Sequence, residues 1–187
     1  MAREPIACNR PGYSAEPVAE PHLSGIDKEM VMDILFADDN FDIRKVVKLI
    51  LERSQPEVTV CLAKSGLEAV ARVKSGQTFD LVLLDNHMPP YPAARLGESG
   101  GVWSCRELRT LTPYTPIVFL SAYTAPLEIR RAREAGAYGY ISKDILAKRD
   151  LLSRLLALDW IGLQALANER ELWCFPENLA VLSPAAC

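Results

Sequence analysis

The stretch VLLDNHMPP, residues 82–90, runs from apolar residues into a carboxylate and then into a Met-Pro-Pro turn. Val82, Leu83 and Leu84 have the character of a strand buried on both faces, as in a parallel sheet. A carboxylate at the end of such a strand is costly to bury unless something pairs with it. Alone, Asp85 would read as a turn residue or a helix cap. What it does therefore depends on how the neighbouring strands end.

Four other short apolar runs surround it: VMDILFA (31–37), EVTVCLA (57–63), TPIVFLS (115–121) and YGYIS (138–142). Amphipathic stretches lie between them. FDIRKVVKLILER (41–53) places Phe41, Val46, Val47, Ile50 and Leu51 at helical spacing. SGLEAVARVKSG (65–76) groups Leu67, Val70 and Ala71 on one face and offers Gly76 as a stop. VWSCRELRTL (102–111) ends before Pro113, PLEIRRAREAG (126–136) ends on Gly136, and Leu151, Leu152, Leu155 and Leu156 mark a last helix. Five strands alternating with five helices predict a three-layer α/β fold, a parallel sheet covered on both sides.

Composition narrows the class. The chain has 187 residues, 49% of them hydrophobic and 24% charged, with a formal net charge of -3, enough for one sizeable core and an appendage. The acidic balance gives no footprint for nucleic acid. Arg130, Arg131 and Arg133 read as one solvated helix face. Five scattered cysteines without a CxxC pair suggest neither a disulfide framework nor a zinc site, and the only histidines are His22 and His87. No apolar run approaches the roughly 20 residues that span a bilayer, so no membrane association is expected and a reducing cytoplasm is the natural compartment. Residues 1–29, interrupted by Pro5, Pro11, Pro17 and Pro21, are expected to form a flexible tail.

The strand ends carry the chemistry. Strand one ends in Asp38-Asp39, strand three in Asp85 and strand four in Ser121, and Lys143 follows strand five. In an open parallel sheet these ends share one edge, where ligands bind. Crowded acids invite a divalent cation, and an all-oxygen set suits Mg²⁺. A cation, an ammonium and a hydroxyl are what the equatorial oxygens of a transferring phosphoryl group need, leaving one carboxylate as nucleophile.

In this order, ILFADDN, LVLLDNHMPP, PIVFLSA and GYISK resemble the signature segments of the receiver domain of bacterial two-component response regulators over roughly residues 31–160. The resemblance implies a flavodoxin-like (βα)5 fold with a five-stranded parallel sheet in the order 2-1-3-4-5. It implies Asp85 as phosphoacceptor, with Mg²⁺ held by Asp39 directly, Asp38 mostly through water, Asp85 and the main-chain carbonyl of His87. Ser121 would be the switch hydroxyl, Lys143 the phosphoryl partner, Tyr140 the aromatic that rotates inward on activation, and Ala122 the small residue that admits the phosphoryl group. A histidine kinase or histidine phosphotransfer protein would be the donor and a downstream protein the target, with phosphotransfer and later hydrolysis catalysed by the domain itself.

Three features depart from that pattern. Asp144 stands where relatives carry a proline after the lysine, so a trans bond is expected there. YPAARLGES (91–99) is an insertion of roughly eight residues, after which Gly100 or Gly101 starts helix three. Such a loop could contact the kinase or be ordinary solvated chain. His87 and Tyr123 flank the phosphoryl position, the His87 side chain being expected to lie partly exposed.

Residues 30–158 are thus expected to form the receiver domain and 159–187 an apolar, helical extension too short for a DNA-binding output domain. Leu155, Leu156, Leu158, Trp160, Ile161, Leu163 and Leu166 exceed what one surface helix needs. Either helix five is long and the tail folds back on the domain, or the extension mediates a homodimer or partner contact anchored by Trp160 and Trp173. Competing functional readings are a phosphorylation-independent interaction module and a Mg²⁺-dependent phosphatase. The phosphatase reading is disfavoured because His87, not a second Asp, lies two residues after Asp85.

Overall fold

A computed structural model of the chain describes residues 31–95, 97–166, 172–175 and 178. The expected tail at 1–29 lies outside the described residues.

The elements are β1 (Met32–Ala37), α1 (Phe41–Ser54), β2 (Val58–Ala63), α2 (Gly66–Lys74), β3 (Leu81–Leu84), α3 (Gly100–Leu111), β4 (Ile117–Ser121), α4 (Pro126–Glu134) and β5 (Gly139–Ser142). A 3₁₀ turn at Lys143–Ala147 leads to α5 (Arg149–Leu156), and α6 (Trp160–Leu166) and β6 (Leu172–Cys174) complete the series. The sheet order is β2-β1-β3-β4-β5-β6. Its first five strands pair in parallel in the predicted order 2-1-3-4-5, and β6 joins antiparallel to β5.

Alternation along the strands explains the two-sided core. Ile34, Phe36, Leu81, Leu83, Val118, Leu120 and Ile141 face one side, where Val47, Leu51 and the leucines of α5 cover them. Leu35, Val82, Leu84, Ile117, Phe119 and Tyr140 face the other, under Val70, Val102, Leu108 and Ala132. All four residues of β3 are buried, as expected for a central parallel strand. Gly76 and Gly136 follow their helices with φ of 92° and 90°, the left-handed stop that glycine allows.

Two helix faces differ from expectation. Phe41 and Val46 are 58% and 51% exposed, because the turn of α1 that meets the sheet is set by Val47 and Leu51. Phe41 instead packs under the Lys45 ammonium, 4.1 Å from its ring centre. Leu67 is 47% exposed, and Ala69, Val70 and Val73 carry the buried face of α2.

The C-terminal region corrects the long-helix expectation. Leu158 takes a positive φ of 54°, which ends α5 and turns the chain into α6. Trp160 packs near the Tyr138 ring, at 6.4 Å between centres, and Leu163 joins the core. Ile161 is 87% exposed. Leu172–Cys174 return to the domain as a sixth strand on the sheet.

Candidate phosphoacceptor site

The carboxyl ends of β1, β3, β4 and β5 bring four side chains to one edge. Asp38 (1% exposed), Asp85 (5%) and Ser121 (0%) are buried there. Lys143, the first residue after β5, reaches across the edge and donates to Asp38 Oδ2 at 2.6 Å and to Asp85 Oδ1 at 2.9 Å. The ammonium therefore answers the question of the buried acid: one cation pairs with both carboxylates. Burial opposes the charged lysine, but the two carboxylate contacts outweigh it and raise its pKa above the ordinary value.

Local chain geometry holds each acid in place. The Asn40 backbone N–H donates to Asp38 Oδ1 at 2.8 Å, while Asn40 itself caps α1. The His87 N–H donates to Asp85 Oδ2 at 2.7 Å, a short Asx turn that fixes the carboxylate after the strand. Gly101 allows α3 to start directly against this turn, since a Cβ there would lie 2.3 Å from the Asp85 carbonyl oxygen. Asn86 accepts from Ser99, whose own hydroxyl caps α3. The helix start predicted at Gly100 or Gly101 thus falls at Gly100, with Gly101 in the tightest contact with the acid's backbone.

The remaining predicted residues are placed as follows. Asp39 and Ala122 are exposed. Ser121 Oγ accepts from the Tyr123 N–H at 3.3 Å. Tyr140 is fully buried, stacked on Phe119 at 5.6 Å, and its hydroxyl donates to the Tyr123 carbonyl at 2.6 Å. Burial pushes the Tyr140 hydroxyl up to about 12, despite a lowering contribution from Ser121. The peptide bond to Asp144 is trans, as are all those described, and Lys143 still reaches both acids. Among the described residues, no three His, Cys, Asp or Glu side chains stand together as a ready-made cation cage.

Sequence reasoning missed two contacts, those of His87 with Glu128 and of Tyr140 with Trp173, although Trp173 itself was expected as a C-terminal anchor. His87, 44% exposed, pairs through Nε2 with Glu128 Oε1 at 2.8 Å and packs on Tyr123 at 4.6 Å. Glu128 in the first turn of α4 is indistinguishable in sequence from a residue favoured by the helix dipole. The second is made by Trp173, which meets Tyr140 edge-on at 6.1 Å. The run Leu172-Trp173-Cys174-Phe175 before Pro176 carried that signal, being composed of strand formers. The insertion is pinned rather than free: Tyr91 packs on Trp103 at 4.6 Å, Glu98 pairs with Arg106, and Arg131 donates to the Gly97 carbonyl at 3.1 Å.

Comparison with known proteins decides the family. Residues 34–156 match the response regulator receiver domain family. The chain belongs to that family. The receiver domain is 32% identical over 131 residues to the sensory/regulatory protein RpfC of Xanthomonas campestris pv. campestris (strain 8004), covering 70% of this chain and 17% of that protein. It is 30% identical over 114 residues to the transcriptional regulatory protein ZraR of Escherichia coli (strain K12), covering 61% of this chain and 23% of that one. The chain thus spans about a quarter or less of the length of these curated relatives. Among solved structures, chemotaxis response regulator CheY4 of Vibrio cholerae superposes with a TM-score of 0.54 at 25% identity, over 68% of this chain and 98% of that one. A CheY-like receiver domain from Methanospirillum hungatei JF-1 gives 0.58 at 21% identity, over 73% and 99%, which supports the fold alone. Receiver domains are phosphoacceptor modules of two-component signalling. Among the described residues, no helix of this one is long and apolar enough to cross a membrane.

Proposed function

We propose that Asp85 accepts a phosphoryl group from the phosphohistidine of a sensor histidine kinase or phosphotransfer protein, and that the resulting aspartyl phosphate changes the domain's contacts with a downstream protein. The observation that carries this reading is the Lys143 ammonium held between two buried carboxylates at the edge of the sheet. A phosphoryl group on Asp85 would bring its own oxygens to that cation.

An Asp85 carboxylate oxygen attacks phosphorus, the P–N bond to the donor imidazole breaks, and the imidazole leaves with the bonding pair. With the small donor acetyl phosphate, the P–O bond breaks instead and acetate leaves. Lys143 takes up the charge that develops on the phosphoryl oxygens, and the Ser121 hydroxyl is the neighbouring donor on β4.

The oxygen donors at this edge suit Mg²⁺, and one cationic nitrogen already bridges Asp38 and Asp85. Asp39, Asp85 and the His87 carbonyl, with Asp38 through water, would hold the ion, which when bound neutralises phosphoryl charge.

Incubation of the full chain with acetyl phosphate and Mg²⁺, followed by intact-mass measurement, tests the reading. A gain of one phosphoryl group that is absent in Asp85→Asn supports it. No gain with any donor would favour a receiver fold that works by phosphorylation-independent contacts.

A further inference from the structure

The outer edge of β5 would be the open edge of the sheet if β6 did not cover it, and β6 is positioned by side chains from both core layers. Leu172 enters the layer of α1 and α5, whereas Trp173 and Phe175 enter the layer of α2, α3 and α4, the period-two alternation of a true strand. The Phe175 N–H donates to the Tyr138 carbonyl at 3.1 Å, and the Asn178 amide donates to the Ala137 carbonyl at 2.7 Å. The backbones approach closely at Gly139, where a Cβ would lie 3.2 Å from the Trp173 carbonyl oxygen.

The Trp173 ring closes the outer side of Tyr140, whose inner side stacks on Phe119. Tyr140 in turn holds the Tyr123 carbonyl, and the N–H of the same Tyr123 donates to Ser121. Tyr123 also packs on His87, whose N–H holds the Asp85 carboxylate. From these contacts we infer that Trp173 is a positioning residue for phosphotransfer, acting through Tyr140 on the Ser121–Tyr123 turn. This rests on Asp85 being the phosphoacceptor. Docking of residues 172–175 on β5 and phosphorylation of Asp85 then stabilise each other, a coupling that is reciprocal in equilibrium free energy.

Two readouts on the full chain test this. With acetyl phosphate and Mg²⁺, Trp173→Ala gains its phosphoryl group at least about fivefold more slowly than wild type, and Trp173→Phe, which keeps an aromatic ring against Tyr140, recovers most of the rate. In the wild-type chain, which needs no substitution to fold, phosphorylation slows amide hydrogen exchange at 172–175. The inference is overturned if exchange at 172–175 is unchanged or faster on phosphorylation, or if Trp173→Ala reacts like wild type. If the wild-type chain gains no phosphoryl group at all, the Asp85 assignment fails and takes this inference with it. If it gains one without either effect, only the role of Trp173 is lost.

Discussion

Replacing Lys143 with methionine isolates the electrostatics of the site. The substitution keeps most of the aliphatic stem and removes the ammonium that contacts Asp38 at 2.6 Å and Asp85 at 2.9 Å. The two carboxylates are 2% and 7% exposed, so water can replace little of the lost contact. Breaking a buried pair by removing one partner costs about 3–5 kcal/mol. The lysine side chain is itself 18% exposed, which lowers the expectation to roughly 2–4 kcal/mol. At a urea slope of about 2 kcal/mol/M, the unfolding midpoint in chelator should fall by roughly 1–2 M with the slope unchanged. Adding Mg²⁺ should return part of the loss, because a cation can then serve the same acids. A midpoint equal to or above that of wild type would refute the claim that the Lys143 ammonium stabilises both buried acids.

Other perturbations probe separate parts of the account. Gly101→Ala forces a methyl against the Asp85 carbonyl oxygen and the Asn86 backbone, which cannot yield as a flexible side chain would, so a loss of roughly 1–3 kcal/mol is expected in urea unfolding. The Tyr140 hydroxyl is raised by burial from 10.0 to about 12, so the folded state keeps its proton where the unfolded chain loses it. That contribution to stability is complete below pH 10 and is lost as pH rises through about 12; Tyr140→Phe should flatten the pH dependence of the unfolding midpoint across this window. Chelating divalent cations should slow phosphoryl gain from acetyl phosphate at least about tenfold, equivalent to about 1.4 kcal/mol of barrier, as followed by intact mass.

The fold was legible because its signals are local and repeated. Five runs of strand formers, each closed by a turn residue, gave the five parallel strands, and Gly76 and Gly136 stopped their helices as glycines should. The convergence of Asp38, Asp85, Ser121 and Lys143 was legible because strand ends in a parallel sheet must share an edge. What escaped depended on tertiary choices. Phe41 and Leu67 have apolar character equal to their buried neighbours, and only the placement of each helix on the sheet decides which face is covered. Strand β6 escaped because it is three residues long and its partner lies more than thirty residues earlier in the chain. The His87–Glu128 pair joins the β3–α3 turn to α4, a juxtaposition that neither segment announces by itself.

The central claim is that Asp85, and not one of the acids beside it, carries the phosphoryl group. Borohydride reduction of the phosphorylated chain converts an aspartyl phosphate to homoserine, and peptide mass mapping then locates the residue. Homoserine at position 85, dependent on prior exposure to the phosphodonor, is the predicted result. Homoserine at position 38 or 39, or a phosphoryl group that resists reduction, would contradict the account.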